Sequence, residues 1–152
     1  MKNETWWSHI INCDADPFIP SGWSVETHIK GGQLALNPIK IKFYLSPNQQ
    51  DNKVIKGNQL RKELANEPVL NANVLDYLLA HQELIPEDWK KDWKEDKQGK
   101  IRFIFFWGTI YRGLSGKLYV RYLYWGGERW SWFYDWLNCF WHSNYPAAVS
   151  AS

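Results

Sequence analysis

Hydrophobic spacing along the chain changes character near Gly99. Before it, apolar residues come in short runs or at helical intervals; after it, they alternate or run continuously, as strands do. The opening stretch through His28 is punctuated by Pro and Gly, with Ile10-Ile11 as a short strand candidate. Ile39-Lys40-Ile41-Lys42-Phe43-Tyr44-Leu45 alternates apolar and basic side chains, which predicts a half-buried strand. Pro47 stops it, because proline has no amide to donate to a ladder. Leu60 and Leu64 share one face of a helix predicted over Gly57 to Asn66, which Pro68 ends. Val74, Leu75, Leu78 and Leu79 form the stripe of the clearest helix, capped by Asn71 or Asn73. Pro86 opens a further helical piece, Glu87 to Asp96, with Trp89 and Trp93 on one side.

Beyond Gly99 the period is that of strands. Ile101 to Tyr111 and Lys117 to Trp125 are β-rich runs joined by Arg112-Gly113-Leu114-Ser115-Gly116, a hairpin loop by composition. Gly126-Gly127-Glu128 makes a second tight connection into Arg129 to Tyr134. The Phe103–Tyr111 run is apolar on both faces and so predicts a central strand. Helices followed by a meander predict an α+β fold, with helices in the N-terminal two-thirds packed on a mostly antiparallel sheet. A length of 152 residues suits one domain, residues 1–100 mixed and residues 101–152 an aromatic-rich β part.

Composition adds one unusual feature: 17% of the chain is aromatic, with 11 Trp. The longest uncharged apolar run is too short to span a bilayer, and the first residues, Met1 to Trp7, lack the apolar core of a signal peptide. The cytoplasm, and two free thiols at Cys13 and Cys139, are therefore expected. Net charge is +2, divided as +3 from Ile101 onward and −1 before it, too slight a bias to indicate a nucleic-acid partner.

Catalytic signatures are missing: the chain has no glycine-rich phosphate loop, no G-x-S-x-G and no C-x-x-C. Asp14-Ala15-Asp16 could share a cation or a substrate, but before Pro17 the pair fits an Asx-type turn better. Cys139 and His142 have the look of a nucleophile and base or of two metal ligands. His9, His28 and His81 supply no matching spacing, so a buried thiol beside an exposed imidazole is the simpler reading. Glu87-Asp88 reads as helix N-terminal charge, and Asn3-Glu4-Thr5 is a glycosylation sequon that matters only after secretion. No metal or cofactor is expected.

The segment from Tyr124 to Ser152 stands apart. Trp125, Trp130, Trp132, Trp136 and Trp141 punctuate it. Between and after them come Ser131, Phe133, Tyr134, Asp135, Asn138, Cys139, Phe140, His142, Ser143, Asn144 and Tyr145. In a strand, Trp130 and Trp132 face one side while Ser131 and Phe133 face the other. Some tryptophans, Trp107 and Trp125 foremost, are expected in the core. The mixture between them matches what adaptable binding surfaces use, rigid aromatic area plus flexible hydrogen bonding. Every one of those interleaved residues, Leu137 aside, is also encodable by changing the two adenines of an asparagine codon. Tryptophan is not.

Here the chain resembles a group of small, functionally uncharacterised bacterial proteins. The likeness rests on Ile85-Pro86-Glu87-Asp88-Trp89-Lys90, on Phe105 to Arg112, on Leu118 to Trp125 and on the Pro146–Ser152 ending. The late segment is similar to the C-terminal variable regions of proteins diversified by retroelements, which usually have a C-type-lectin-like fold. That resemblance implies a ligand-binding module whose variable residues run from Ser131 to Tyr145, with Glu128 a further candidate. The expected partner is a macromolecule, a protein first. Single-stranded nucleic acid or carbohydrate on an aromatic platform, with Arg121 and Arg129 nearby, is the alternative. An enzyme using Asp14, Asp16 or the Cys139/His142 pair is a third reading.

Overall fold

A computed structural model of the chain describes residues 9–92 and 99–151. Its strands in chain order are β1 (Ile10–Asn12), β2 (Ser24–His28), β3 (Gln33–Ala35), β4 (Ile41–Tyr44) and β5 (Ile55–Lys56). Two α-helices follow, α1 (Gly57–Leu64) and α2 (Ala72–Ala80). Then come β6 (Lys91–Asp92), β7 (Lys100–Ile101), β8 (Ile104–Phe105), β9 (Thr109–Arg112), β10 (Leu118–Trp125), β11 (Trp130–Trp136), β12 (Phe140–Trp141) and β13 (Ala147–Ser150).

The predicted helices-on-a-sheet architecture is corrected by this inventory. Strand accounts for 36% and helix for 21%, and the main sheet curls into a half-barrel. The physical reason lies in the N-terminal two-thirds, where most segments are too short and too interrupted by Pro and Gly to nucleate helices. They become two- to five-residue strands and 3-10 turns instead. Glu87 to Asp96 illustrates this. Only Glu87–Trp89 winds, as a single 3-10 turn, and Lys91–Asp92 then pairs with Lys100–Ile101. Trp93 to Asp96 lie outside the described residues.

β10 is the axis of the sheet. One edge carries β11 along its whole length, from Tyr119 opposite Trp136 to Trp125 opposite Trp130. The other edge is shared by β9, at Leu118 and Tyr119, and β8, at Tyr122 and Leu123. The predicted central strand over Phe103–Tyr111 is thus two strands separated by a break at Phe106–Gly108. Gly108 permits it: a Cβ there would sit 2.8 Å from the Asn71 backbone. From the break the sheet fans out, β9 to β2 and β8 to β13 and then β4.

Each helix covers a different face. Val74, Leu75 and Leu78 of α2 pack with Leu123, Trp130 and Ile104. Leu60 and Leu64 of α1 pack with Val120, Leu137 and Trp141. Asn71 caps α2 as expected, accepting from the Asn73 amide at 3.0 Å, and its Nδ2 also donates to the carbonyls of Cys13 and Ile29. Among the described residues no helix is long and apolar enough to cross a membrane.

Candidate functional site

The β10–β11 hairpin separates packing from display. Two residues, Gly127 and Glu128, make its turn, closed by the Gly126 amide donating to the Arg129 carbonyl at 2.9 Å. The register follows: Trp130, Trp132, Tyr134 and Trp136 share the α2 face with Tyr119, Arg121, Leu123 and Trp125. Ser131, Phe133 and Asp135 share the α1 face with Val120, Tyr122 and Tyr124.

Where the α1 face extends beyond its helix, an aromatic patch opens. The Phe103 ring stands 5.0 Å from Tyr122, 6.0 Å from Tyr124 and 5.5 Å from Tyr145. Tyr122 reaches Phe133 at 6.3 Å, and Tyr145 reaches His142 at 5.2 Å. Phe133 is 52% exposed. Asp135 shares this face with Phe133 and Tyr122, and its charge acts on the Cys139 thiol. Its carboxylate also takes the Trp136 amide at 2.8 Å. Burial, then the neighbouring Tyr145, Asp135 and Tyr124, push the Tyr122 phenol up to about 12. Burial and the Asp135 charge also raise Tyr145 and Cys139.

The loop after β12 is held from beneath. Trp141 is fully buried and donates Nε1–H to the Leu137 carbonyl at 3.2 Å. Gln49, itself buried, donates through Nε2 to the carbonyls of both His142 and Tyr145 at 3.0 Å. The backbone is thereby clamped while the His142 side chain stays exposed.

The predicted binding residues do not all meet. Ser131, Phe133, Asp135, His142 and Tyr145 lie in or beside the patch. Asn144 borders it, donating to the Ile101 carbonyl at 3.0 Å. Ser143 instead lines a groove with Phe43, Tyr44, Asp51 and Asp92. Asn138 and Phe140 lie toward α1 and β5, Asn138 accepting from Asn58 and Phe140 under the Lys56 ammonium at 5.2 Å. Tyr134 has the parity of the opposite face and packs 4.7 Å from Trp23 and 4.8 Å from Tyr119, yet its ring also meets Phe133 at 4.6 Å, so it joins the patch around the strand's edge. Glu128 is exposed in the hairpin turn. Phe103, Tyr122 and Tyr124 were not among the sequence candidates. The hairpin register would have found the two tyrosines, since they share parity with Phe133 and Ser131 across the Gly127-Glu128 turn.

Arg121 is a correction. Expected beside an exposed platform, it is 1% exposed and sits on the α2 face. Its guanidinium pairs with both oxygens of Asp76, at 2.8 and 3.0 Å, and lies 4.0 Å from the Trp132 ring and 5.2 Å from Phe18. The cation has no access to a ligand on the aromatic patch. Trp107 is buried as expected, whereas Trp125 is half-buried with the Lys90 ammonium 3.7 Å above its ring.

The catalytic candidates do not assemble. Asp14 Oδ1 accepts from the Gly32 amide at 2.9 Å, tying down a loop, and Asp16 is exposed. Cys139 and His142 share no hydrogen bond among the described residues. The thiol is pushed up rather than down, opposite to what nucleophilic activation requires. Among the described residues no three His, Cys, Asp or Glu side chains converge as metal ligands. No family model, curated protein or solved structure matches the chain.

Proposed function

We propose that the protein is a binding module whose aromatic patch around Phe133 takes a protein ligand. The single observation that carries this is the alternation along β11. Trp130 is sealed into the α2 core while Phe133, three residues on, is half open to solvent beside Tyr122 and Tyr134. Unlike the isolated exposed side chains Ile39 and Leu114, Phe133 is exposed as part of a connected set of rings. Large aromatic area with Ser131, Asp135, His142 and Tyr145 around it is the chemistry of interface anchors with adaptable hydrogen bonding. Arg121 lies on the other face, so the nucleic-acid reading keeps only Arg129, exposed at the hairpin turn, of its two expected cations and gains a carboxylate, Asp135, that repels phosphate.

A photo-crosslinking phenylalanine analogue at position 133, in the full chain expressed in its source cells, tests the reading. Covalent adducts to a discrete protein are expected from position 133 and not from Leu114, which is exposed on the β9–β10 loop. Adducts to glycan or nucleic acid, or equal labelling from both positions, would overturn it.

Diversification of the same surface, as the retroelement resemblance implies, is part of this proposal. It predicts an adenine-rich near-copy of the final coding segment beside a reverse-transcriptase gene. Identical residues between the tryptophans in close relatives would remove that part and leave binding intact.

A further inference from the structure

The two faces of the β10–β11 hairpin each bring one carboxylate to a group of aromatic rings, but only one face supplies the cation. On the α2 face Arg121 is enclosed by Trp132, Phe18 and Tyr111, with Asp76 as its counter-ion. On the α1 face Asp135 shares its side of the hairpin with Phe133 and Tyr122, its charge reaches Tyr122 and Tyr145, and it makes no ion pair among the described residues.

We propose, resting on the binding reading above, that this patch recognises an arginine side chain presented by the partner protein, its guanidinium stacking on the rings and pairing with Asp135. The geometry asks for a cation for three reasons. The ring faces carry negative quadrupoles, and an arginine stacks on them flat while its fork of N–H donors meets a carboxylate. Asp135 accepts from the Trp136 amide, which does not neutralise its charge. Asp135 shares the hairpin face with Phe133 and Tyr122, so its charge is presented beside the rings.

Arg129, exposed at the hairpin turn, is six residues along the strand from Asp135, about 20 Å away, and the nearer basic groups are committed elsewhere. Lys117 is the one cation whose influence reaches Cys139, as the last and smallest contribution, and its ammonium lies 4.4 Å over the Trp136 ring. Lys56 lies over Phe140. The Arg121–Asp76 cluster shows the same combination completed within one molecule.

The test uses the intact protein and two small probes of nearly the same shape, N-acetyl-arginine methylamide and its uncharged citrulline counterpart. Ring resonances of Tyr122, Phe133 and Tyr145 are followed by NMR during titration. The arginine probe is expected to bind at least about tenfold more tightly than the citrulline probe, a difference of about 1.4 kcal/mol. Asp135→Asn, which keeps an oxygen for the Trp136 amide, should bring the two probes level. Equal binding of both probes to the parent protein, no saturable shift, or unchanged arginine preference in Asp135→Asn would each overturn the proposal. The crosslink at position 133 is read separately. A protein adduct without arginine preference sinks only this inference, and arginine preference without a protein adduct sinks only the ligand class.

Discussion

Arg121 and Asp76 form a two-pronged ion pair across the sheet–helix interface, with one partner wholly enclosed and the other partly open. The guanidinium donates to the two carboxylate oxygens at 3.0 and 2.8 Å, and the side chains are 1% and 32% exposed. Among the described residues Arg121 Nε has no hydrogen-bond partner, and the charge is held by Asp76 and by the rings of Trp132 and Phe18. Removing Asp76 strands a buried cation. Asp76→Ala should therefore cost about 2–4 kcal/mol in urea denaturation, toward the lower part of the range for buried pairs because solvent reaches the carboxylate. Asp76→Leu combined with Arg121→Met should recover most of that loss. A loss under about 0.5 kcal/mol for Asp76→Ala would place the pair among surface bridges.

Gly57 opens α1 directly beneath the β11–β12 connection. Its amide donates to the Cys139 carbonyl at 3.2 Å, and a Cβ built on it would overlap the Leu137 carbonyl and come within 2.5 Å of Trp141 Nε1. Both obstacles belong to the buried bond that fixes Trp141. Gly57→Ala should destabilise by about 3 kcal/mol or more, against the usual gain of alanine in a helix. Gly32→Ala is the control. Nothing lies within 4 Å of its Cβ, and only its positive φ of +71° opposes the change, so about 1 kcal/mol is expected. Equal effects at the two positions would contradict the close approach.

What could be read in advance depended on whether a residue's environment is local. Helix α2 was legible because Val74, Leu75 and Leu78 repeat at helical spacing and Asn71 caps within two residues. The facing of Trp130 and Ser131 followed from strand alternation alone. The break at Phe106–Gly108 was not legible, because it answers to the Asn71 backbone, far away in sequence. An uninterrupted apolar run gives no sign of it. Arg121 misled for the same reason: its partner Asp76 is 45 residues away, and an arginine between tyrosines looks like surface until that contact is known. The patch itself was half legible, since Phe133 is a candidate on strand alternation while Tyr122 and Tyr124, in the preceding run, carry no mark of display.

Alkaline pH should weaken the fold through Tyr122. Its folded-state proton is held to about 12, against 10.0 for an unperturbed phenol. Between those values the unfolded chain binds fewer protons than the native one, so stability present below about pH 10 is lost as pH rises. Tyr122→Phe keeps the ring against Phe103 and Phe105 and should move the alkaline unfolding midpoint upward. Tyr111 and Tyr145 are raised as well, so part of the transition remains. Coincident curves for parent and variant, followed by tryptophan fluorescence, would contradict the assignment.

Cys139 should alkylate slowly at neutral pH, and Asp135 should be one cause. Burial and the adjacent carboxylate both hold the thiol protonated, and thiolate is the reactive form. In a Cys13→Ser background, Asp135→Asn is expected to raise the iodoacetamide rate at position 139 by about two- to fivefold, because losing the carboxylate's charge raises the thiolate fraction. A slower or unchanged rate would mean that Asp135 does not govern the thiol.

If the tryptophan framework and the residues between it have separate duties, they should differ sharply in tolerance. Phe133 and Phe140 are 52% and 53% exposed, and His142 is exposed on a loop whose backbone is gripped by Gln49. Replacing all three by Ser removes only contacts at the half-exposed surface and none in the core, so the triple variant should stay within about 1.5 kcal/mol of the parent. Leu137→Ala and Trp141→Ala each empty space in the α1 core, where the parent residues are 2% and 0% exposed. About 3–5 kcal/mol is expected for each. Chemical denaturation of the three proteins decides between display and structure. A triple variant that unfolds with the core variants would show these side chains to be fold-forming, and the surface they make could not then be varied freely to suit a ligand.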